Sequence, residues 1–415
     1  MVFYNQRIFI VLVAIVEVAL LFVSPLAAVF LLSLLLYNDT IDYINNNLHY
    51  RLLLFYIFAC SAVLGLINIT KVPENDLIWY MDHFHESGTT DLLNFMKYGL
   101  SYSDQTVWKE PIYNLLVWVL NHILMDNGAA FKFSITLLNY LLLNYSILLF
   151  AKHFEMSTKY VIIGVVSMCF IPYIFTMSLH LIRQFLSLSI LIFAAVRVCF
   201  YNKKDYILLL LAPFIHTTGF ILLPILLFSA FDKRFSESKI WYVGLLIAVI
   251  GMQSFAGVLS EVITDEASMS YAIYRASKDN LADFTGVLSW VKISMIIGFS
   301  IISIWVTYFS DYKGQKGVRR FTNMILLLAI FVLTNLQQTE LAMRFFFFFF
   351  PFTPFLIMYG VSLLPRLEII IPFAMVLLFV FFVQYLSIGT WTYDLPRNVV
   401  RTHIYEFVEP QRIIN

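Results

Sequence analysis

Charge is what this chain has least of. Only 13% of its 415 residues are Asp, Glu, Lys or Arg, against 60% hydrophobic, and the mean hydropathy is +0.82. A water-soluble protein of this length needs a charged surface, and these residues are too few to make one. The net charge is +1, so no excess of one sign points to nucleic acid. Cysteine is scarce as well. Cys60, Cys169 and Cys199 fall inside apolar runs without CxxC spacing, which argues against a metal or redox site and for small core residues. No DxD appears, which weighs against a metal-dependent sugar-nucleotide transferase, and there is no nucleotide-binding glycine pattern. The pair His83-x-His85 lacks a third ligand at a recognisable spacing, so neither metal nor cofactor is expected. Internal repeats and heptads are missing, as are the short alternating strands of a membrane barrel.

What is present is a succession of apolar runs of bilayer-crossing length. They predict an all-α, polytopic integral membrane protein, one multi-span domain over residues 1–415. About 11–14 transmembrane helices are expected, some of them short, broken or re-entrant. Ile8–Val23 and Pro25–Tyr37, separated by Ser24-Pro25, read as two short spans or one long kinked helix. The first run reads as an uncleaved membrane segment. Arg51–Ile69 is a clear span, and Pro111–Met125 is an amphipathic helix lying along the surface or re-entering. Spans follow at about 130–150, 160–176, 178–200, 240–256, 286–308, 321–339, 345–363 and 369–391, in a scheme of about thirteen. Residues 206–230 read as a hairpin of two short helices with His216 at its tip. The run Phe345–Phe350 suits lipid-facing packing or a groove for a polyprenyl chain.

More than half of the 27 basic residues fall in loops that the positive-inside rule places in the cytoplasm. The polar stretch 71–110 carries three lysines against seven acids, and in 257–285 acids again lead. Both are therefore expected to be extracytoplasmic loops, with the 340–344 turn and the tail after Trp391.

Ionisable residues inside or beside spans are expensive and call for a reason. Asp76, Glu110, Arg183, His216 and Arg344 come from distant parts of the sequence, and this topology brings all five to the outer face. His180, Arg183 and Gln184 are expected to share one helical face. Each residue also has an ordinary reading. Arg344 can pair with Glu340, Arg183 can snorkel to headgroups, and His216 can cap its turn. Glu110 can be a helix N-terminal acid, and Asp76 a cap. Taken together they suit transfer of a sugar from a lipid diphosphate. Arg183 and Arg344, with Gln184, would hold the diphosphate. Glu110, Asp76 or His216 would take the proton of an attacking hydroxyl. Tyr80, Tyr113 and Trp108, together with Trp79 and Tyr102, would offer faces to sugar rings.

The series Asn75-Asp76-x-x-x-Tyr80, Glu110-Pro111-x-Tyr113, Ile182-Arg183-Gln184, Phe214-Ile215-His216-Thr217-Thr218 and Arg344 resembles the Wzy-type polysaccharide repeat-unit polymerases. It is most similar to their EpsG-like branch. The chain departs from that pattern in its Pro-broken N-terminal segment and in Glu74-Asn75, where a glycine often precedes the Asp motif. The resemblance implies an inverting, metal-independent membrane glycosyltransferase in the bacterial cytoplasmic (inner) membrane, multi-pass, with its site facing outward. It would join undecaprenyl-diphosphate-linked repeat units, as glycan donor and acceptor, into O-antigen or exopolysaccharide chains. The lipid bilayer, a chain-length regulator and a flippase are the implied partners, with no nucleic acid among them. An O-antigen ligase-like transferase and a transporter of lipid-linked oligosaccharide are the alternatives. A flippase would call for repeated helix bundles, and no repeat is present.

Overall fold

The computed structural model describes residues 19–38, 47–74, 76–98, 110–216, 218–219, 222–227, 229–233, 287–309, 315–334, 336, 345–387, 400, 402–404 and 407. They are helical, with no strand among them. That is the expected outcome for apolar runs of this length, because a helix satisfies its own backbone groups where water cannot. Among the described residues, five helices are long and apolar enough to cross a bilayer: Tyr50–Ile69, Gly128–His153, Ile182–Tyr201, Lys316–Thr334 and Phe345–Leu363. The pair Thr158–Phe170 and Pro172–His180, bent by 50°, is apolar enough to make a sixth span or a re-entrant loop. Pro172 has no N–H to give the helical ladder, and the bend falls there.

The described residues also hold five apolar helices of 10–17 residues: Pro25–Asn38, Pro111–Leu124, Tyr206–Ile215, Trp290–Trp305 and Ile371–Leu386. At about 1.5 Å per residue they reach ~15–25 Å, short of a ~30 Å hydrocarbon layer. The protein is a multi-pass membrane protein of long and short helices, and the described residues hold fewer full spans than the expected thirteen. The expected span 240–256 and the loop 257–285 lie outside the described residues. At Ser24-Pro25, Ser24 N–H donates to the Leu20 carbonyl (2.8 Å) and Ala28 N–H to that of Ser24 (2.9 Å), and residues 8–18 of the first run lie outside the described residues.

The chain divides into two compact units. The first comprises Met1–Thr89, Val117–Ser189 and Ile357–Asn415, and the second Thr90–Leu116 and Ile190–Leu356.

In the first unit, helix Asn47–Ile69 packs along helix Gly128–His153. Asn127 caps the latter, its side-chain oxygen accepting from the N–H groups of Ala129 (3.1 Å) and Ala130 (3.0 Å). The helices approach closely at Gly65, where a Cβ would stand 2.8 Å from the Phe133 ring. Buried polar pairs set the register. The Asn144 amide donates to Ser61 Oγ (3.2 Å), and the Ser189 hydroxyl donates to Asn139 Oδ1 (2.7 Å). Each such bond contributes about 1 kcal/mol in an apolar surrounding. Cys60 and Cys169 are buried thiols of this core and form no disulfide. At Glu368, one carboxylate oxygen pairs with Lys159 and the other accepts from the Tyr160 hydroxyl (2.5 Å).

In the second unit, helix Val287–Phe309 packs on helix Lys316–Thr334. The guanidinium of Arg320 donates to both carboxylate oxygens of Asp232 (2.6 and 2.8 Å) and to the Leu226 carbonyl (3.0 Å). Asn323 donates to the carbonyls of Phe231 (2.7 Å) and Lys233 (3.1 Å), so the 229–233 turn is pinned to that helix. Of the two readings of the phenylalanine run, lipid-facing packing does not hold for most of it. Phe345, Phe346, Phe348, Phe349 and Phe350 are buried, with Phe345 packed edge-on against Phe331 (4.3 Å between centroids). Six consecutive aromatics put rings on every side of a helix, and the unit's interior takes most of them.

Candidate functional site

Each unit carries its own group of the polar residues singled out above. In the second unit the group starts where helix Pro111–Leu124 begins. Pro111 suits a first helical position, and the residue before it supplies the first carbonyl of the ladder. That residue is Glu110, whose carbonyl accepts from Asn114 N–H (3.2 Å). Its φ is +56°, in the left-handed region that a glutamate rarely adopts. Residues held in such conformations cluster at functional sites, because the fold must stabilise them by about 1–3 kcal/mol. The Glu110 carboxylate is 8% exposed and stands 3.7 Å from Nε2 of His216.

His216 ends helix Tyr206–Ile215, its N–H donating to the Ala212 carbonyl (3.0 Å). Helix Leu223–Leu227 comes next in the chain, so two short helices flank His216. The ring is oriented by its own turn. The backbone N–H of Thr218 donates to Nδ1 (3.3 Å), and the Thr218 hydroxyl lies 2.6 Å from the same nitrogen. A nitrogen that accepts carries no proton, so in the neutral ring the proton sits on Nε2, toward Glu110. Both ordinary readings therefore hold beside the pairing: Glu110 is a helix-terminal acid and His216 a turn residue.

The first unit holds the second group. Asp76 opens helix Asp76–Ser87 and is exposed. One turn on, the ring of Tyr80 lies under the guanidinium of Arg183, 5.3 Å from its centroid, in cation–π geometry. Arg183 stands in the first turn of helix Ile182–Tyr201, whose open N–H groups favour a negative charge. The common helical face expected for His180, Arg183 and Gln184 is not formed. The chain leaves the helix at Leu181 (φ −123°, ψ 47°), so His180 ends one helix and Arg183 starts another. His180 is instead within electrostatic reach of Lys71, Glu74 and Asp76. Gln184 is buried beside Arg183.

Tyr80 and Tyr113 do not offer open faces to a sugar. Tyr113 is 1% exposed, and Tyr80 is buried with Arg183 over its ring, whereas Trp79 is exposed. His83 is buried, and His85 pairs with Asp126 at 2.7 Å, so the two histidines serve different surroundings. Trp108 and Arg344 lie outside the described residues.

Three lysines were not among the expected site residues. Lys71 is buried in an ion pair with Glu74. Lys132 is buried in helix Gly128–His153 and donates to the carbonyls of Ile69 (2.6 Å) and Lys71 (2.9 Å). Lys292 is buried with its ammonium 5.8 Å from the centre of the Phe346 ring. Lys132 and Lys292 both sit within runs read as spans, and a charge inside a span was the available signal.

No curated protein and no solved structure matches the chain. A sequence model of the EpsG family matches residues 53–395, which take in both groups of polar residues. The chain is a multi-pass membrane protein and belongs to the EpsG family.

Proposed function

We propose that this protein polymerises lipid-linked oligosaccharide repeat units on the outer face of the bacterial cytoplasmic membrane, with Glu110 as general base. The observation that carries the reading is the buried Glu110–His216 pair, formed by two residues distant in sequence, one of them in a strained backbone conformation. Membership of the EpsG family supports the substrate class.

In the proposed reaction, a hydroxyl of the sugar at the non-reducing end of the acceptor unit attacks the anomeric carbon of the donor glycan. A new C–O bond forms there as the bond to the diphosphate breaks from the opposite side, inverting the centre. The electron pair leaves on undecaprenyl diphosphate, and the hydroxyl proton passes to the Glu110 carboxylate. His216 is a positioning residue. Its Nδ1 is engaged by Thr218 and its Nε2–H faces the carboxylate, so the neutral ring has no basic nitrogen to offer. Arg183, its guanidinium over the Tyr80 ring at a helix N-terminus of the first unit, is the residue we propose for the diphosphate, with Gln184 next to it in the chain and Arg344 as a second guanidinium. Asp76, exposed at the head of its helix, acts on the charge balance of this group. Sugar contacts fall to Trp108 and the exposed Trp79.

Purified protein in a phospholipid nanodisc, supplied only with its cognate lipid-linked repeat unit, should yield a ladder of glycan lengths and one undecaprenyl diphosphate per linkage. Transfer only to a lipid A-type acceptor points to the ligase instead. Movement of intact lipid-linked units across a sealed vesicle, with no new linkage, points to the transporter.

A further inference from the structure

Four lysines of the second unit stand exposed where its helices end. Lys203 and Lys204 follow helix Ile182–Tyr201, Lys233 closes the 229–233 turn, and Lys316 heads helix Lys316–Thr334. Backbone contacts bring them to one end of the unit. A Cβ on Gly317 would overlap the Cys199 carbonyl oxygen, so the start of one helix touches the end of the other. Asn202 takes φ +50°, and the chain turns back until Lys203 N–H donates to the Arg197 carbonyl (3.2 Å). Asn323, about two turns beyond Lys316, donates to the Lys233 carbonyl (3.1 Å).

The acids of these segments do not offset the lysines. Asp232 has both carboxylate oxygens on the Arg320 guanidinium, and Asp205 stands 2.7 Å from Nε of Arg197. Each acid is matched by an arginine, and among the described residues none of the four lysines makes an ion pair. Like charges gathered without a counter-charge favour an anion.

What lies beside them is apolar. Helix Tyr206–Ile215 starts two residues after Lys204, and Tyr206, Ile207, Leu210 and Phe214 form an exposed face along it. The helices whose ends bear Lys203, Lys204 and Lys316 are long and apolar enough to cross a bilayer. Positive charge thus sits at the rim of a surface suited to hydrocarbon, with a tyrosine at the boundary, the depth at which headgroups lie. An acidic soluble protein would match the charge but not the apolar face next to it.

We propose that this end of the second unit binds anionic phospholipid, with Lys203, Lys204, Lys233 and Lys316 on the headgroup phosphates and the 206–214 face against the acyl chains. The lipid is the partner whatever reaction the protein catalyses.

The test uses the full chain in a neutral maltoside detergent, with phosphatidylglycerol as probe and phosphatidylcholine of the same chain length as control. Phosphatidylglycerol should raise the unfolding temperature well above the control, and NaCl at about 0.5 M should weaken the effect. Combining Lys203→Gln, Lys204→Gln, Lys233→Gln and Lys316→Gln should weaken phosphatidylglycerol binding by about tenfold or more, and arginine at all four positions should leave it unchanged. Equal affinity in the glutamine variant overturns the proposal. So does inorganic phosphate that stabilises the wild type as well as the lipid does, which assigns the lysines to a soluble anion. Stabilisation by polyglutamate and not by phosphatidylglycerol assigns them to an acidic protein and overturns it too. Should the glutamine variant fail to fold, lysine acylation of the wild type in nanodiscs decides. Replacing phosphatidylcholine by phosphatidylglycerol should protect these four lysines, and equal labelling in both lipids overturns the proposal.

Discussion

The backbone N–H of Thr218 donates to Nδ1 of His216 at 3.3 Å, and this bond determines which ring nitrogen faces Glu110. With Nδ1 engaged, the Nε2–H side lies 3.7 Å from the Glu110 carboxylate, about half an ångström beyond a hydrogen bond. A side chain that needs only to donate an N–H at that position has a substitute in glutamine, whose amide nitrogen reaches about as far. His216→Gln should retain roughly a tenth of the polymerisation rate, and His216→Phe about a hundredth or less. Equal and complete inactivation of both variants assigns proton transfer to His216 itself.

Arg183 and Tyr80 make a second pair whose parts separate by mutation. Arg183→Lys keeps the charge but loses the flat guanidinium that lies over the ring, and it should raise the donor KM about tenfold. Tyr80→Phe keeps the ring and should match the wild type, whereas Tyr80→Leu should follow Arg183→Lys with kcat less affected. Initial rates over a range of donor concentrations read the split. A Tyr80→Phe variant as impaired as Tyr80→Leu shows that the hydroxyl matters, not the face.

Much of this arrangement was legible from the sequence because charge in an oily chain is conspicuous. Glu110 before a helix-starting proline, His216 between two short apolar runs and Arg183 inside a span all stood out for that reason. The 3.7 Å meeting of Glu110 and His216 was not legible, since no local period links residues so far apart. Lys132 was passed over because it stands near the start of its helix, where a lysine ordinarily reaches water; only the fold turns it toward the carbonyls of Ile69 and Lys71. The break at Leu181 escaped as well. Nothing in Leu-His-Leu-Ile-Arg-Gln marks a helix end, and the continuous face drawn through His180 and Arg183 followed from that. The lipid-facing reading of the phenylalanine run failed because composition reports that rings are apolar without saying whether lipid or protein covers them.

Arg320 offers a purely architectural test. Its double hydrogen bond to Asp232 is largely buried, and removing one partner leaves the other charge unpaired. Arg320→Ala should destabilise the protein by about 3 kcal/mol, while Arg320→Ala with Asp232→Ala should recover part of the loss. Denaturant titration in detergent measures both. Activity per folded molecule should not change, because neither residue belongs to the reacting groups. A single variant as stable as the wild type removes this pair from the account of the second unit.

Glu368 carries the pH dependence. Hydrogen bonds from Lys159 and Tyr160 hold its carboxyl below the ordinary value of 4.5. The charged form is thus favoured by folding, so the stabilisation is complete above pH 4.5 and fades as pH falls through the lowered value. The side chain is 24% exposed and solvent screens the pair, so the effect is about 1 kcal/mol at most. Unfolding temperatures between pH 7 and pH 3 should drop more steeply for the wild type than for Glu368→Gln. Parallel curves would show that the pair contributes nothing.

The central claim is that Glu110 is the base, and Glu110→Gly set against Glu110→Gln tests it most directly. Glycine relieves the backbone strain at φ +56°, so Glu110→Gly should be no less stable than the wild type within about 1 kcal/mol. Glutamine keeps the shape and removes the basic oxygen. Single-turnover linkage formation, measured with saturating lipid-linked repeat unit, should fall by about 100-fold or more in both variants while both remain folded. Linkage formation at a wild-type rate in folded Glu110→Gln contradicts the account.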